Sequence, residues 1–347
     1  MKDIPHSRPT IDDAEIAAVS AVLRSQNIAQ GRQVSLFEEA LSRLIGVREA
    51  VATSSGTASL HLALFALDIG ENDEVVIPSF VCTALLNAVR LVRAVPVIAD
   101  INSNSFNIDV HDIRRCLTKR TKAVIVPHMF GMPADIREIV SLGVPVIEDC
   151  AQSIGSRSGQ SYTGSFGVLS VFSFYATKVI CTGEGGMVAG SDSRLLAKIR
   201  DFRDYDEKGD WALRYNYKLT DMQAAMGLTQ LSKLPGMIRR RREIAALYDE
   251  NLRGCPVILP SCPPEKEHIY FRYVLRTGES REVLDGCRKK GISCRRPVFE
   301  PLHHCGINAA CPEAEAAFRD SVSIPIYPSL GDTEAVMISE TIREILS

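Results

Sequence analysis

Short apolar runs alternate with longer helical patterns over the first two thirds of the chain. Seven of these runs predict strands, near 50–53, 74–77, 95–98, 122–126, 144–148, 168–173 and 186–190. Helical apolar periodicity between and around them is clearest at 12–24, 57–69, 80–93 and 220–252. Strands that alternate with helices are typical of a sheet covered on both faces, so the pattern predicts a three-layer α/β sandwich.

The chain changes character after Pro235, which interrupts the helical pattern of 220–252 and is the predicted domain boundary. We therefore divide the chain into a large domain, 1–235, and a small α+β domain, 236–347, with the N-terminal segment free to pack on the small domain. The predicted elements of the small domain are a strand at 268–276, a helix that ends at Gly291, a strand near 293–298 and a helix from Asp332.

The composition is that of a globular enzyme. With 347 residues, of which 46% are hydrophobic and 24% charged, the chain is long enough for two domains. A net charge of −2 gives no electrostatic reason to expect nucleic acid as a partner. No apolar run reaches the roughly 18 residues of a membrane span, and the N-terminus lacks the apolar region of a signal peptide. We therefore expect a cytoplasmic protein.

Ten cysteines are scattered along the chain without a CxxC pair, so we expect them to be reduced and buried. Metal-ligand types cluster at one place only, His303, His304, Cys305 and Cys311. Without a second paired motif, this cluster does not predict a zinc site.

The lysine at position 178 is the strongest candidate for chemistry. It lies in SFYATKVICTGEGG (173–186), directly after the apolar run VLSVFSF. Parallel sheets bind ligands at the carboxyl ends of their strands. Desolvation near an anionic cofactor can keep an amine partly neutral, and such an amine forms a Schiff base with an aldehyde. A lone lysine is more often a solvated surface residue, so other segments must decide.

Three other segments bear on whether Lys178 is catalytic or a solvated surface residue. In ATSSGTASLHLALFAL (52–67) a strand leads into a helix whose first residues, Gly56 and Thr57, could bind phosphate, although an ordinary helix cap explains them nearly as well. In VPVIEDCAQSIGS (144–156) a strand ends in two carboxylates, Glu148 and Asp149. A buried carboxylate needs a cationic partner, and a protonated pyridine nitrogen is one such partner, although carboxylates at strand ends also often have a purely structural role. The segment 211–234 predicts a loop and then a helix.

The order of these motifs, SGTAS, EDCAQS, SFYATK with GEGG, then YNYKLTDMQAA and QLSKL, resembles the DegT/DnrJ/EryC1/StrS family of sugar aminotransferases. The resemblance runs from about Arg8 to SIPIYPSL. It implies pyridoxal 5′-phosphate (PLP) as cofactor and the PLP-dependent transferase fold type I, of the aspartate aminotransferase kind. That fold has a three-layer αβα large domain with a mostly parallel seven-stranded sheet and a small α+β C-terminal domain.

The resemblance assigns roles to individual residues. Lys178 would form the Schiff base and carry the proton between the substrate carbon and the cofactor. Asp149 would pair with the pyridinium nitrogen, and Gln152 would lie near the 3′-oxygen of the ring.

Further roles concern the phosphate and the substrate. Gly56, Thr57 and Ser173 resemble phosphate ligands, and Asn216 matches the asparagine that reaches the phosphate of the neighbouring subunit, which implies a homodimer with shared active sites. His303, in a segment that resembles the family's PLH sequence, would contact the substrate.

Two positions depart from the family. An aromatic residue that stacks on the cofactor is usual where Cys82 stands, so the ring must be covered by the sulfur of Cys82, by Val81 or by a shifted Phe80. Lys218 stands where arginine is common, and lysine does not replace arginine at a bidentate site.

The expected function is transfer of an amino group from an amino acid, L-glutamate, to a keto group of a nucleotide-activated sugar in amino-sugar and polysaccharide biosynthesis. Family members with histidine in place of the lysine are dehydratases, so Lys178 favours transamination. The alternatives are transamination of a non-nucleotide keto-cyclitol and a non-catalytic regulatory role on the same scaffold.

Overall fold

A seven-stranded sheet forms the centre of the protein in the computed structural model, which describes residues 3–347. The strands of this part of the chain are β1 (Glu49–Thr53), β2 (Glu74–Pro78), β3 (Val95–Ala99), β4 (Thr121–Pro127), β5 (Val146–Asp149), β6 (Arg157–Ser158), β7 (Ser161–Tyr162), β8 (Leu169–Ser173), β9 (Gly186–Gly190), β10 (Lys266–Glu267), β11 (Tyr273–Arg276) and β12 (Ser321–Ile324). The central sheet has the order β1-β9-β8-β5-β4-β2-β3, and only β9 runs antiparallel to its neighbours. All seven strands predicted for the large domain are confirmed.

Helices cover both faces of this sheet. They are α1 (Asp13–Ser25), α2 (Arg32–Ile45), α3 (Gly56–Ala66), α4 (Ala84–Leu91), α5 (Val110–Cys116), α6 (Ile136–Val140), α7 (Ser193–Arg203), α8 (Asp221–Asn251), α9 (Ser280–Lys289), α10 (Pro312–Asp320) and α11 (Asp332–Ile345). Alternate strand residues point to opposite faces: Val171 belongs to the apolar cluster that includes residues of α3, α4 and α7, whereas Phe172 belongs to the cluster that includes residues of α2 and α8. The predicted three-layer α/β architecture is therefore confirmed. In residues 3–347 no helix is both long enough and apolar enough to cross a membrane.

Helix α8 does not break at Pro235, so the predicted interruption is wrong. The helix starts from a capping box at Thr220 and continues through the proline, whose ring is exposed. A proline in a helix removes one backbone hydrogen bond. Here the buried neighbours Leu234 and Met237 keep the helix continuous, because both pack in the core beneath the sheet. Tertiary packing thus outweighs the local cost of the proline. The division of domains at this residue stays a prediction.

The C-terminal part of the chain has a core of its own, built from the second half of α8, the antiparallel pair β11–β12, α9 and α11. Ile4 joins this cluster and forms a bridge with Ile292. The helix predicted to end at Gly291 and the helix predicted from Asp332 are confirmed.

Two predicted strands of this part need correction. The strand expected at 268–276 is limited to Tyr273–Arg276, since the residues before it leave the sheet to contact the large domain. The stretch 293–298 makes only a single bridge, between Arg295 and Ser323, because a tight turn precedes it and Pro297 cannot donate a hydrogen bond.

Candidate active site

The carboxyl ends of β1 and β8 meet at one edge of the sheet. Thr53 and Ser173, the last residues of these strands, both pair with Gly186 at the start of β9. Helix α3 begins three residues after Thr53, at Gly56, where a Cβ atom would come within 2.8 Å of the Ser173 Cβ and 3.2 Å of its Oγ. Only glycine allows the start of α3 to approach Ser173 this closely.

The start of α3 is a site for an anion. Ser55 caps the helix through its side chain, which accepts the Ala58 N–H at 3.1 Å. The earlier N–H groups, at Gly56 and Thr57, have no partner within the helix, and the helix dipole places partial positive charge there. Together with the hydroxyl of Ser173, they form a cup that suits a phosphate group.

Asp149 ends β5 at the same edge and is only 7% exposed. Its Oδ1 accepts the Ala151 N–H at 2.9 Å. Burial raises the pKa of the Asp149 carboxyl, against the opposing effects of this hydrogen bond and of the charge on Lys178. A buried carboxylate with so little compensation favours a cationic partner.

The preceding carboxylate, Glu148, faces the other side of the sheet and is structural. It accepts the N–H groups of Gly164, Phe166 and Gly167 at 2.7 to 2.8 Å and pairs with His128 at 3.0 Å. Burial opposes ionisation, but these partners hold the pKa of Glu148 below its usual value. Of the two adjacent carboxylates, only Asp149 lacks a full set of partners.

Lys178 lies in the turn between β8 and β9, where it is half-buried. Its Nζ lies 5.4 Å from the centre of the Phe271 ring. Burial lowers the pKa of the Lys178 amine; Cys82 and Asp149 oppose this effect, and the positive charge of Arg272 adds to it. The amine is therefore close to a carboxylate, a thiol and a guanidinium, and its neutral form is more accessible than that of a surface lysine.

Cys82 is the residue that faces this site at the position where the family has an aromatic ring. Phe80 and Val81 are fully buried, and Phe80 stacks inside the core, so neither can cover a ring in the cleft. Cys82 is exposed as a residue. Desolvation by the surrounding protein raises the pKa of its thiol; the charge of Lys178 opposes this rise and that of Asp149 adds to it.

The side chain of Gln152 is held by a hydrogen bond in which its Oε1 accepts the Phe130 N–H at 2.9 Å.

Asn216 is exposed and lies in the segment between α7 and α8. This segment runs beside the start of α3, because the Ser54 N–H donates to the Tyr217 carbonyl at 2.7 Å. The roles of Gln152 and Asn216 stay predictions.

Lys218 is neutralised within its own chain. Its Nζ donates to Asp204 at 2.7 Å and to Asp206 at 2.6 Å, and these partners raise the pKa of the amine. The lysine that replaces the usual arginine is therefore already paired in this structure.

His303 lies at the carboxyl end of β2, in a 3₁₀ turn at Leu302–His304. Its Nδ1 is 2.5 Å from the Ser79 hydroxyl and its Nε2 is 3.3 Å from Glu315. His304 joins the same carboxylate at 2.7 Å, so the three side chains could hold a metal ion. The sequence grouped these histidines with two cysteines, whereas the structure groups them with Glu315. The contact of His303 with substrate stays a prediction.

Two residues that the sequence does not single out, Phe271 and Arg272, approach Lys178 from the C-terminal part of the chain. They lie in HIYFRYVLR, whose alternation is that of an ordinary strand. Nothing in this local pattern distinguishes a strand that lines a site from one that does not.

These residues fit the cofactor that the resemblance implies. Asp149 would hold the ring nitrogen of PLP in its protonated form, since a cation there compensates its burial. Lys178 would bind the aldehyde carbon, and the cup of Gly56, Thr57 and Ser173 would hold the phosphate. The close approach of Gly56 to Ser173 is the structural feature that makes this cup.

Known proteins with the same organisation match the whole chain. The sequence profile of the DegT/DnrJ/EryC1/StrS aminotransferase family matches residues 9–343. The chain is 34% identical to GDP-perosamine synthase of Escherichia coli O157:H7 over 100% of both chains. It is 32% identical to a UDP-N-acetyl-3-dehydro-alpha-D-glucosamine 3-aminotransferase of Acidithiobacillus ferrooxidans, over 98% of this chain and 96% of the relative.

Solved structures of aminotransferases have the same fold as this chain. The aminotransferase TlmJ of Streptoalloteichus hindustanus superimposes with a TM-score of 0.95 and 30% identity, over 99% of this chain and 98% of the other. The protein thus has the fold of the PLP-dependent aminotransferases. The chain belongs to the DegT/DnrJ/EryC1/StrS aminotransferase family and is a PLP-dependent aminotransferase.

Proposed function

We propose that this enzyme transfers the amino group of an amino acid, L-glutamate, to a keto group on a nucleotide-activated sugar. The observation that carries the proposal is the amine of Lys178, partly desolvated beside the buried carboxylate of Asp149. The name of the perosamine-forming relative supports the acceptor class, because perosamine is an amino sugar carried there on GDP.

The chain's own residues provide binding and proton transfer. When bound, PLP supplies a carbonyl that takes up the amino group and a ring that delocalises the electrons left on the substrate carbon. Asp149 keeps a proton on the ring nitrogen by its negative charge. Lys178 accepts and returns the substrate proton, since burial brings the pKa of its amine closer to neutral pH, where general bases are most effective.

We further propose that the enzyme works as a homodimer in which Asn216 completes the phosphate site of the partner. The exposure of two apolar side chains supports this. Trp211 is fully exposed and Leu213 is 65% exposed, in the same segment as the exposed Asn216. Large apolar side chains exposed close together are typical of an interface.

The cytoplasm is the compartment we propose for this reaction. All ten cysteines are free in the structure; Cys82 and Cys262 are exposed, so the expectation of buried cysteines fails at these two positions. Free thiols in this number are typical of a reducing compartment.

A panel of 3-keto and 4-keto nucleotide sugars, assayed with glutamate and PLP, tests the proposed reaction. We expect an aminated nucleotide sugar from wild type and from Lys122→Ala, an exposed lysine on β4, but none from Lys178→Ala. Borohydride reduction followed by peptide mass analysis should place the pyridoxyl group on Lys178. Amination of keto-cyclitols alone would support that alternative, and absence of any amino transfer would support a regulatory protein.

A further inference from the structure

A guanidinium without a carboxylate partner lies beside Lys178. Arg272 and Lys178 both contact the ring of Phe271, with Arg272 Cζ at 5.3 Å and Lys178 Nζ at 5.4 Å from the ring centre. Within residues 3–347, no carboxylate forms an ion pair with Arg272; the side-chain partner of its guanidinium is His6. The charge of Arg272 is therefore not balanced by a carboxylate within residues 3–347, whereas Lys178 has Asp149 nearby.

His6 orients Arg272 but cannot neutralise it. The Arg272 guanidinium donates to His6 Nδ1 at 3.1 Å, and His6 Nε2 bonds the Ser323 hydroxyl at 2.9 Å. Burial, together with the charges of Arg272 and Arg295, lowers the pKa of His6 to about 3. The imidazole is thus neutral at physiological pH and acts as a hydrogen-bond acceptor that fixes one side of the guanidinium.

The surroundings make this charge costly. Burial and the nearby Arg295 lower the pKa of Arg272 to about 10, so it remains protonated at neutral pH. Arg241, which is buried, donates to the carbonyls of Tyr270, Phe271 and Ile326, and within residues 3–347 it forms no ion pair with a carboxylate. Charges with little access to water are normally paired, so a half-buried guanidinium near the reactive amine with no carboxylate partner is a candidate for the binding of an anion.

We propose that Arg272 binds the carboxylate of the amino donor, with His6 as the residue that positions it. This inference rests on the proposed aminotransferase function. An α-amino acid must bring its nitrogen to the place of the Lys178 amine, and its carboxylate is attached to the same carbon. A guanidinium that shares the Phe271 ring with this amine is well placed for that carboxylate, and its planar donors match both oxygens.

The diphosphate of the nucleotide sugar is the other anion that enters such an active site. It is separated from the reacting keto carbon by the sugar ring, whereas the donor carboxylate is one bond from the reacting carbon. The position of Arg272 next to Lys178 therefore favours the carboxylate. The two sources can be told apart because the donor and the acceptor react in separate half-reactions.

The test measures the two half-reactions of the PLP-loaded enzyme separately in Arg272→Met, Arg272→Lys and the control Arg242→Met, whose side chain is paired with Glu267 at 3.0 Å. We expect Arg272→Met to raise the glutamate concentration for half-maximal conversion of the cofactor by roughly 10- to 100-fold, the range for hydrogen bonds to charged groups. Its reaction with keto sugar from the aminated form should change by less than about threefold. Arg272→Lys, which keeps the charge, should lie between Arg272→Met and wild type.

Binding of 2-oxoglutarate, measured by calorimetry, gives a readout apart from turnover and should weaken in the same order. His6→Gln should weaken it less than Arg272→Met does. Unchanged glutamate and 2-oxoglutarate affinities in Arg272→Met would overturn the proposal, as would loss confined to the keto-sugar half-reaction. Because glutamate conversion needs no acceptor, a wrong acceptor class would leave this test intact.

Discussion

At the scale of single residues, the buried carboxylate of Asp149 should lower the stability of the apoprotein, because burial disfavours its negative charge before the cofactor binds. Its pKa in the folded protein is raised by burial above the usual value of 3.8. Stability is therefore greatest below that value and falls as pH rises through the folded pKa. Asp149→Asn should raise the melting temperature of the apoprotein at pH 7, and the gain should shrink as the pH approaches 4.

The same substitution should abolish catalysis, since asparagine cannot keep the ring nitrogen protonated. It should also reduce the rise in melting temperature that saturating PLP causes. Glu148→Gln, at the neighbouring position, is the matched control. The pKa of Glu148 is lowered in the folded protein, so loss of its charge should lower the melting temperature at pH 7 instead of raising it. If Asp149→Asn destabilised the apoprotein as Glu148→Gln does, Asp149 would be a structural carboxylate.

A second residue-scale prediction compares Cys82 with Ser173 in holding the cofactor. A sulfur covers less of a ring than an aromatic side chain, whose specific gain is roughly 0.5–1.5 kcal/mol. Cys82→Ala should therefore raise the PLP dissociation constant by less than about tenfold. Ser173→Ala should raise it further, because the phosphate loses a charge-assisted hydrogen bond. Dissociation constants of the two apo-variants decide this, and a larger loss from Cys82→Ala would show that the ring face dominates binding.

The site residues that lie at or just after the ends of strands could be predicted from the sequence. Asp149 and Ser173 end apolar runs, and Lys178 comes a few residues after one, so their location at the sheet edge could be predicted. Arg272 could not, because it reaches Lys178 only through the packing of the C-terminal part on the large domain. Its lack of a carboxylate partner is likewise a property of the folded chain.

At the scale of elements, the approach of α3 to β8 gives a prediction about Gly56. A Cβ atom there would meet Ser173 at 2.8 Å, so Gly56→Ala must push the start of α3 away from the end of β8. We expect a loss of stability of roughly 1–3 kcal/mol, typical of overpacking, and a weaker affinity for PLP. Gly70→Ala is the control, because nothing lies within 4 Å of its added carbon. Equal melting temperatures and PLP affinities for the two variants would contradict the role given to this contact.

Some helices and strands are determined by their own local sequence, and others by packing against distant parts of the chain. The seven central strands follow from short apolar runs. Most of their residues are buried, except at the start of the edge strand β3, and such runs are easily recognised in a sequence. The course of α8 through Pro235 could not be predicted, since a proline argues locally for a break. It is decided by the burial of Leu234 and Met237 against residues distant in sequence.

At the scale of the whole molecule, the proposed exchange of Asn216 between subunits predicts complementation. Lys178→Ala and Asn216→Ala should each be inactive as homodimers. In a mixed dimer, one active site carries both substitutions and the other carries neither. Mixing the two variants under conditions that exchange subunits should therefore restore up to about a quarter of wild-type activity, because half of the dimers are mixed.

Size measurements by light scattering complete this test. We expect a dimer at assay concentration, with the apolar residues Trp211 and Leu213 protected in its interface. Lack of complementation in a proven mixed dimer would place Asn216 in the site of its own chain. Full activity in a monomer would rule out shared sites.

Helix α8 has a consequence for how enzymes of this kind can evolve. Leu234 on its first half packs beneath the large sheet, whereas Tyr248 on its second half belongs to the C-terminal core, which also takes in Ile4. No single crossover along the chain separates these two cores. A crossover between two parents therefore joins core residues of different origin, and we expect new substrate preferences to arise mainly by substitution within an intact gene.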